Sequence, residues 1–210
     1  MPDFSLEDEA RGLGHAVVCG IDEAGRGPWA GPVVASAVIL DKGRLSAVLV
    51  AELDDSKKLR PGKREALFER LLAEARIGVG RADVAEIDDL NILGATMLAM
   101  ARAVEALPLR PDLALVDGNR EPDLSCPARC VVRGDSLSLS IAAASIAAKV
   151  TRDRIMAGLA GDFPGYGWER NAGYGTREHQ AALERLGVTP QHRRRFAPIR
   201  RLLEPQDMGA

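Results

Sequence analysis

The sequence predicts an α/β domain with a mixed sheet, and two observations carry that expectation. Two early apolar runs are joined by a short glycine- and proline-rich link, and helical and strand-like segments alternate after them. The first run, His15 to Asp22 (HAVVCGID), ends at a turn signal; the second, Pro32 to Leu40 (PVVASAVIL), is rich in β-branched valine. Both read as strands. Their link carries Gly25, Gly27, Pro28, Gly31 and Pro32, which break regular structure and let backbone approach a ligand closely. Pro61 to Ala75 reads as a helix, with leucines and alanines at helical spacing behind a proline suited to a first turn. Arg76 to Val84 is a third strand. Asp88 or Asp89 caps a helix from Asn91 to about Ala106, with Leu93, Met97, Leu98, Ala101 and Val104 on one side; Pro108 and Pro111 end it. Leu113 to Asp117 (LALVD) and Cys130 to Arg133 (CVVR) are short strands. Ser138 to Leu159 is alanine-dense and long enough for a largely buried helix lying close to a sheet. Residues 15–160 then form the main domain, 161–210 a small helical and loop-like C-terminal region, and 1–14 a flexible acidic tail.

The 210 residues are 46% hydrophobic and 28% charged, which fits one globular domain able to bury roughly 70% of its unfolded surface. Disorder, collagen and mini-protein classes are excluded. Three cysteines (Cys19, Cys126, Cys130) are too few and odd in number for a disulfide framework, so a reducing compartment is expected. The start, MPDFSLEDEA, is acidic where a secretory leader is basic and then apolar, and no run approaches the roughly 18 apolar residues of a membrane span. A soluble, cytoplasmic chain is the expectation. The net charge of -2 argues against a nucleic-acid partner only as a sum. Residues 177–201 hold seven arginines against two glutamates, while Asp3, Glu7, Asp8 and Glu9 crowd the first ten positions.

Four acids fall where strands end or loops begin: Asp22 and Glu23, Asp117, and Asp135. Carboxyl groups at the ends of adjacent strands can converge, and their repulsion must be offset by a cation or by protonation. All donors would be oxygen, which selects a hard ion, Mg²⁺ or Mn²⁺ before zinc. Such a site suits a two-metal displacement at phosphorus. A single aspartate after a strand is more often a turn or helix cap. Adjacent Asp22 and Glu23 also point to opposite faces of a regular strand unless the chain bends at Glu23.

Gly25, Gly27 and Gly31 give GxGxxxG followed by a strand, which fails the dinucleotide-binding pattern. A tight turn and a loop approaching phosphate or sugar both fit, and Arg26 between two glycines favours the ligand. Asp55-Ser56-Lys57-Lys58 and Arg60 form a basic patch, which as a lone charge run reads as a solvated face. Phe163, Tyr166, Trp168 and Tyr174, four of the eight aromatics, fall within twelve residues among glycines. They either offer rings to sugars or bases, or pack the C-terminal region. Cys126 and Cys130 lack partners for zinc, the three histidines are scattered, and Lys149 with Asp153 reads as an i,i+4 ion pair.

Taken together, GIDEAGRGPWAGPVV (Gly20 to Val34), DSKKL (Asp55 to Leu59), NILGATMLAM (Asn91 to Met100), LVDGN (Leu115 to Asn119), GDSLSLSIAAASIAAKVTRD (Gly134 to Asp153), GYGT (Gly173 to Thr176) and TPQHRRRFAP (Thr189 to Pro198) closely resemble ribonuclease HII, from about residue 16 to 200 and in the family's order. The resemblance implies a ribonuclease H-like mixed five-stranded sheet flanked by helices, with a small helical C-terminal region. It implies an endonuclease that cuts the RNA strand of RNA–DNA hybrids and incises 5′ of single ribonucleotides in duplex DNA, serving ribonucleotide and primer RNA removal. Asp22, Glu23, Asp117 and Asp135 fall on the family's metal-binding acids. Gly25, Arg26 and Gly27 fall on its loop that reads the ribose 2′-OH, Tyr174 on its sugar-stacking tyrosine, and Ser56, Lys57 and Lys58 on its phosphate-contacting segment. Asn171-Ala172 replaces a common His-Lys before GYGT, Leu137 a residue often basic, and Arg195 a frequent serine. The absence of an extra domain before residue 16 is unlike the sister class, ribonuclease HIII.

The expected mechanism is phosphodiester hydrolysis leaving 3′-OH and 5′-phosphate. Asp22 would bridge two ions, Glu23 and Asp117 complete one site, and Asp135 hold the second or move protons near the leaving group. The rivals are a less selective hybrid ribonuclease and a non-catalytic nucleic-acid binder using the aromatic loop and arginine tail. With no clear clamp-binding pattern after Arg201, a monomer without an obligate protein partner is expected.

Overall fold

The computed structural model describes residues 1–204; positions 205–210, the end of the C-terminal region and of the segment read for a clamp-binding pattern, lie outside the described residues. The chain runs α1 (Ser5–Gly12), β1 (Val18–Ala24), β2 (Val33–Ile39), α2 (Ala47–Glu52), α3 (Pro61–Glu74), β3 (Arg76–Ala82), α4 (Val84–Glu105), β4 (Leu113–Asp117) and β5 (Ala128–Val131). A single 3-10 turn at Gly134–Ser136 leads into α5 (Leu139–Asp162), followed by the short α6 (Trp168–Asn171), α7 (Arg177–Leu186) and α8 (Ala197–Leu203). The five strands make one mixed sheet in the order β3-β2-β1-β4-β5. The β1–β2 and β2–β3 pairs are antiparallel, and β4 runs parallel to both β1 and β5.

Period-two alternation divides the strand residues between two layers. Cys19 and Ile21, with Val33, Ala35, Ala37 and Ile39 of β2, face α4 and pack with its Ala95, Ala99 and Ala103. Val38 of β2 faces the other way, into a second core with α2, α3 and Leu139, Ala143, Ile146 and Val150 of α5. Gly20 of β1 shares that second face. A Cβ there would lie 2.1 Å from the backbone carbon of Ser140, so only glycine lets α5 sit this close to the centre of the sheet. The alanine-dense character of α5 follows from the same approach.

Helix boundaries show where local sequence was sufficient. Pro61 occupies the first turn of α3, and Ser138 caps α5 by accepting from Ile141 N. The long α4 begins earlier than Asn91: Asp83 and Glu86 form a capping box at its start. Asn91 breaks it with φ 62° and recaps the second half itself, its Oδ1 accepting from Leu93 N and Gly94 N. Neither Asp88 nor Asp89 is that cap; Asp88 instead accepts from the backbone N–H groups of Arg194 and Arg195. Helix α2 was not expected, and β5 is shifted by two residues from the apolar run Cys130 to Arg133.

The first fourteen residues are not a flexible tail. α1 docks on the entrance to α5, where Glu7, 1% exposed, places Oε1 2.6 Å from Ser138 Oγ, 2.6 Å from Ser140 Oγ and 2.9 Å from Ser140 N. Asp3 adds backbone bonds to Leu137 and Leu139. An acidic segment folds back because a carboxylate at a helix N-terminus meets unpaired N–H donors and the positive end of the dipole. Glu7→Ala orphans three buried donors and is expected to lower stability by about 2 kcal/mol, a drop in melting temperature of about 4–8 °C, measured by thermal and urea unfolding. Glu7→Gln, whose amide oxygen still accepts, loses less.

Candidate active site

The alternation that builds the layers also positions the acids. Gly20 and Asp22 share the α5 face of β1, and Leu115 and Asp117 share the α5 face of β4; because β1 and β4 are parallel neighbours with Ile21 opposite Val116, both aspartates emerge at the same end. After β5 the chain turns at Arg133 in a left-handed conformation and enters the 3-10 turn that carries Asp135. The Gly134 N–H donates to Asp117 Oδ1 at 2.6 Å and binds this turn to the end of β4. One carboxylate oxygen from each of Asp22, Asp117 and Asp135 lies within 4.8 Å of the others.

Burial first, and then repulsion, raises all three carboxyl pKa values. Asp22, the most deeply placed, feels Glu23 and Asp117; its charge is partly answered by the Ser145 hydroxyl and by the Glu23 N–H at 2.7 Å. Asp117 is raised by burial and by Glu23, against the opposing Gly134 N–H, and Asp135 by burial, Asp117 and Asp55. No arginine reaches the trio among the described residues; the nearest cation is Lys57, whose Nζ lies 3.8 Å from Asp135 Oδ2. Burial disfavours the Lys57 ammonium, yet Asp22, Asp55, Asp135 and Asp117 together overcome this and raise its pKa. Three oxygen-donor carboxylates with a net negative balance are the donor set that a hard divalent cation fits.

Glu23 stands apart from the trio. β1 keeps its pairing with β2 through Ala24, and strand alternation sets Glu23 out of the trio while its charge still raises Asp22 and Asp117. Its Oε1 lies 3.4 Å from Arg26 Nη1, and it still lines the same cavity of about 200 Å³. That cavity gathers Asp22, Glu23, Asp117, Lys57, Tyr174 and the Gly25-Arg26-Gly27 loop. Gly25 turns the chain with φ 97°, and a Cβ there would fall 1.9 Å from Arg152 Nε. Ser56 reaches the cavity wall but its hydroxyl is buried and shared with Ser145 Oγ at 2.8 Å. Lys58 is outside it, held by Asp54 at 2.9 Å. Sequence reasoning missed Ser145 and read Lys149 only as an ion pair with Asp153, which it is at 2.7 Å. Both also line the cavity, four residues apart on one face of α5, and that spacing was the available signal.

Most of the aromatic cluster belongs to the interior. Tyr166 and Trp168 are buried in a third core with Ala30, Met156, Leu183 and Ile199, with Phe163 packed against it; Tyr174 is 45% exposed. Two of the three histidines, His179 and His192, not neighbours in sequence, meet under Tyr174. Trp168 Nε1–H donates to His179 Nε2, which leaves the His179 proton on Nδ1 to donate to Tyr174 O at 3.0 Å. Thr189 N–H donates to His192 Nδ1, so His192 Nε2–H points to His179 Nε2 at 3.0 Å. Asn171 is buried too, donating to Tyr166 O and accepting from Gly173 N, so this departure from the common family form supports the tyrosine loop.

Two outcomes follow from these buried groups. Asp22→Asn removes a repelled buried charge and is expected to raise the melting temperature of metal-free protein by about 2–4 °C. Burial, and then His179, depresses His192 to about 4 from its ordinary 6.5. The unfolded chain therefore binds this proton first as pH falls, and the stability held above about pH 6.5 is lost progressively down to about pH 4. His192→Gln, which cannot titrate, is expected to flatten that part of the stability-against-pH curve by about 2 kcal/mol, read by urea unfolding at pH 7 and pH 4.5.

Comparison with known proteins bears on this geometry. The sequence model of ribonuclease HII matches residues 19–199. Ribonuclease HII of Rhodospirillum rubrum is 62% identical over 205 residues, spanning 97% of this chain and 92% of that protein. The crystal structure of ribonuclease H2 from Pyrococcus horikoshii superposes with a TM-score of 0.73 at 28% identity, covering 89% of this chain and 96% of that one. Ribonuclease HII from Archaeoglobus fulgidus, solved in complex with PCNA, gives 0.71 at 28% identity over 86% of this chain and 95% of that one. Identity at well over half of the aligned positions and a family match along nearly the whole sheet and C-terminal region settle the matter: the chain belongs to the ribonuclease HII family of metal-dependent nucleases.

Proposed function

We propose that this enzyme hydrolyses the RNA strand of RNA–DNA hybrids and incises duplex DNA on the 5′ side of a single embedded ribonucleotide, leaving 3′-OH and 5′-phosphate ends. The observation that supports this reading is the meeting of an acid cluster, a backbone loop with free donors and one exposed tyrosine in a single cavity. Asp22, Asp117 and Asp135, with Glu23 at the edge, would hold two divalent cations, Mg²⁺ or Mn²⁺, which when bound supply an activated water and stabilise the leaving oxygen. Neither the Arg26 N–H nor the Gly27 N–H has a protein partner among the described residues, and both are open to a ribose 2′-OH, the group that distinguishes RNA from DNA. The Tyr174 ring passes 3.6 Å from where a Gly27 Cβ would stand, close enough to cover the sugar the loop reads. Lys57 is the cation placed to meet the scissile strand's phosphate; Ser56 and Lys58 act behind it, on the Lys57 loop. In our reading the chain works as a monomer in a reducing, cytoplasmic compartment, in line with three free cysteines; the PCNA complex is a property of the Archaeoglobus protein.

The test is a DNA duplex carrying one ribonucleotide, incubated with Mg²⁺ or Mn²⁺ over a range of salt and resolved on a denaturing gel. Incision 5′ of the ribonucleotide is expected, and absence of any product under both metals overturns the reading. Asp22→Asn is expected to abolish cleavage while the duplex still binds. Tyr174→Ala is expected to lower kcat/KM on this substrate by about 10- to 100-fold, for a lost stacking contact of roughly 1–3 kcal/mol, and to lower activity on long hybrid less.

A further inference from the structure

Arg193 lies on the segment between α7 and α8 and is 0% exposed, yet it pairs with no carboxylate among the described residues. Its guanidinium is spent on backbone carbonyls alone: Nε to Gly31 O at 3.0 Å, Nη1 to Arg26 O at 3.0 Å, and Nη2 to Gly25 O at 2.6 Å and Pro32 O at 3.2 Å. Burial, with Arg152 adding to it, pushes its pKa down to about 9, so the cation is held against a substantial desolvation cost. A fold keeps such a group only where its bonds are needed.

The need is visible in the peptide planes. A trans peptide unit is planar, so its N–H points opposite to its C=O. By drawing Gly25 O and Arg26 O into the interior, Arg193 turns the Arg26 and Gly27 N–H groups outward into the cavity that holds the acids. Its own N–H is bonded to Trp29 O at 2.8 Å, and the Phe196 ring covers the guanidinium at 5.1 Å, which fixes the donor fork from both sides. We infer that Arg193 is a positioning residue for ribose recognition, presetting the two N–H donors that read the 2′-OH; the inference rests on the loop's role proposed above. Lysine cannot replace it, because a point-charge ammonium does not span carbonyls that a planar fork bridges.

The test measures binding, apart from turnover, in an Asp22→Asn background that leaves the substrate intact. Affinity is compared for a duplex with one ribonucleotide and for the same duplex made wholly of DNA. The background protein is expected to prefer the ribonucleotide duplex, and Arg193→Lys to lose about tenfold of that preference, the equivalent of one or two well-placed hydrogen bonds, with affinity for the all-DNA duplex unchanged. Phe196→Leu, which loosens the cover on the guanidinium and spares its bonds, is expected to shift the preference two- to threefold in the same direction, about half a kcal/mol or slightly more, and carries the test if Arg193→Lys does not fold. A preference retained in the folded variants, or equal weakening on both duplexes, overturns the role of Arg193. Equal binding of both duplexes by the background protein overturns the loop reading itself, and the inference with it.

Discussion

The site depends on one steric constraint, the close approach of α5 to the middle of the sheet. With glycine at position 20, the start of α5 rests on β1 backbone. Ser145 is then near enough to donate to Asp22, and the turn bearing Asp135 is pulled against the end of β4. A side chain at position 20 would lift the helix entrance and separate carboxylates whose cooperation requires contact-range distances. Glu7 reinforces the same point from outside, since the residues it holds, Ser138 and Ser140, are those that follow Asp135 into the helix.

The molecule buries both anions and cations without pairing them with one another. Arg152 and Arg193 sit behind the Gly25 to Pro32 loop, and pairing a buried cation with a buried carboxylate would be cheaper than leaving each without an ionic partner. It does not occur because seven guanidinium hydrogen bonds are already committed to six backbone carbonyls, from Gly25 to Pro32 and at Ala172. The carboxylates therefore stay without a strong internal partner and keep their capacity for a divalent ion. The arginine-rich C-terminal run is correspondingly less of a basic tail than its count suggests: Arg193 is interior, and the Arg194 and Arg195 backbone is tied to Asp88.

The sheet, Asp22 and Asp117 were legible from sequence because they follow period-two alternation over short, strongly apolar runs. LALVD reads the same in structure, and its alternation puts Asp117 on the face of Asp22. What was not legible depended on tertiary partners. Asn91 looks like an ordinary helical residue and acts as a break and a cap. The acidic start looked solvated because its partner, the α5 N-terminus, lies 133 residues from Glu7. Trp168 and Tyr166 suggested a binding platform because glycine-rich spacing conceals burial, whereas His179 and His192, thirteen residues apart, gave no sign that they would share a hydrogen bond.

Those histidines and Arg193 belong to a single piece of chain, and this bears on how the recognition surface works. The segment from Thr189 to Arg193 carries the His192 bond that orients His179 and through it the Tyr174 carbonyl. It also bonds Gly31 and Trp29 through backbone and holds Gly25 and Arg26 through the guanidinium. Two loops distant in sequence, one presenting N–H donors and one presenting a ring, thus share one support. In the function proposed above, a ribose entering between them would meet donors and ring already in place, with little loop-ordering entropy lost on binding. The proposed selectivity for one hydroxyl group would require such rigidity, because a loop free to reorient could satisfy its donors on phosphate or water and discriminate far less between RNA and DNA.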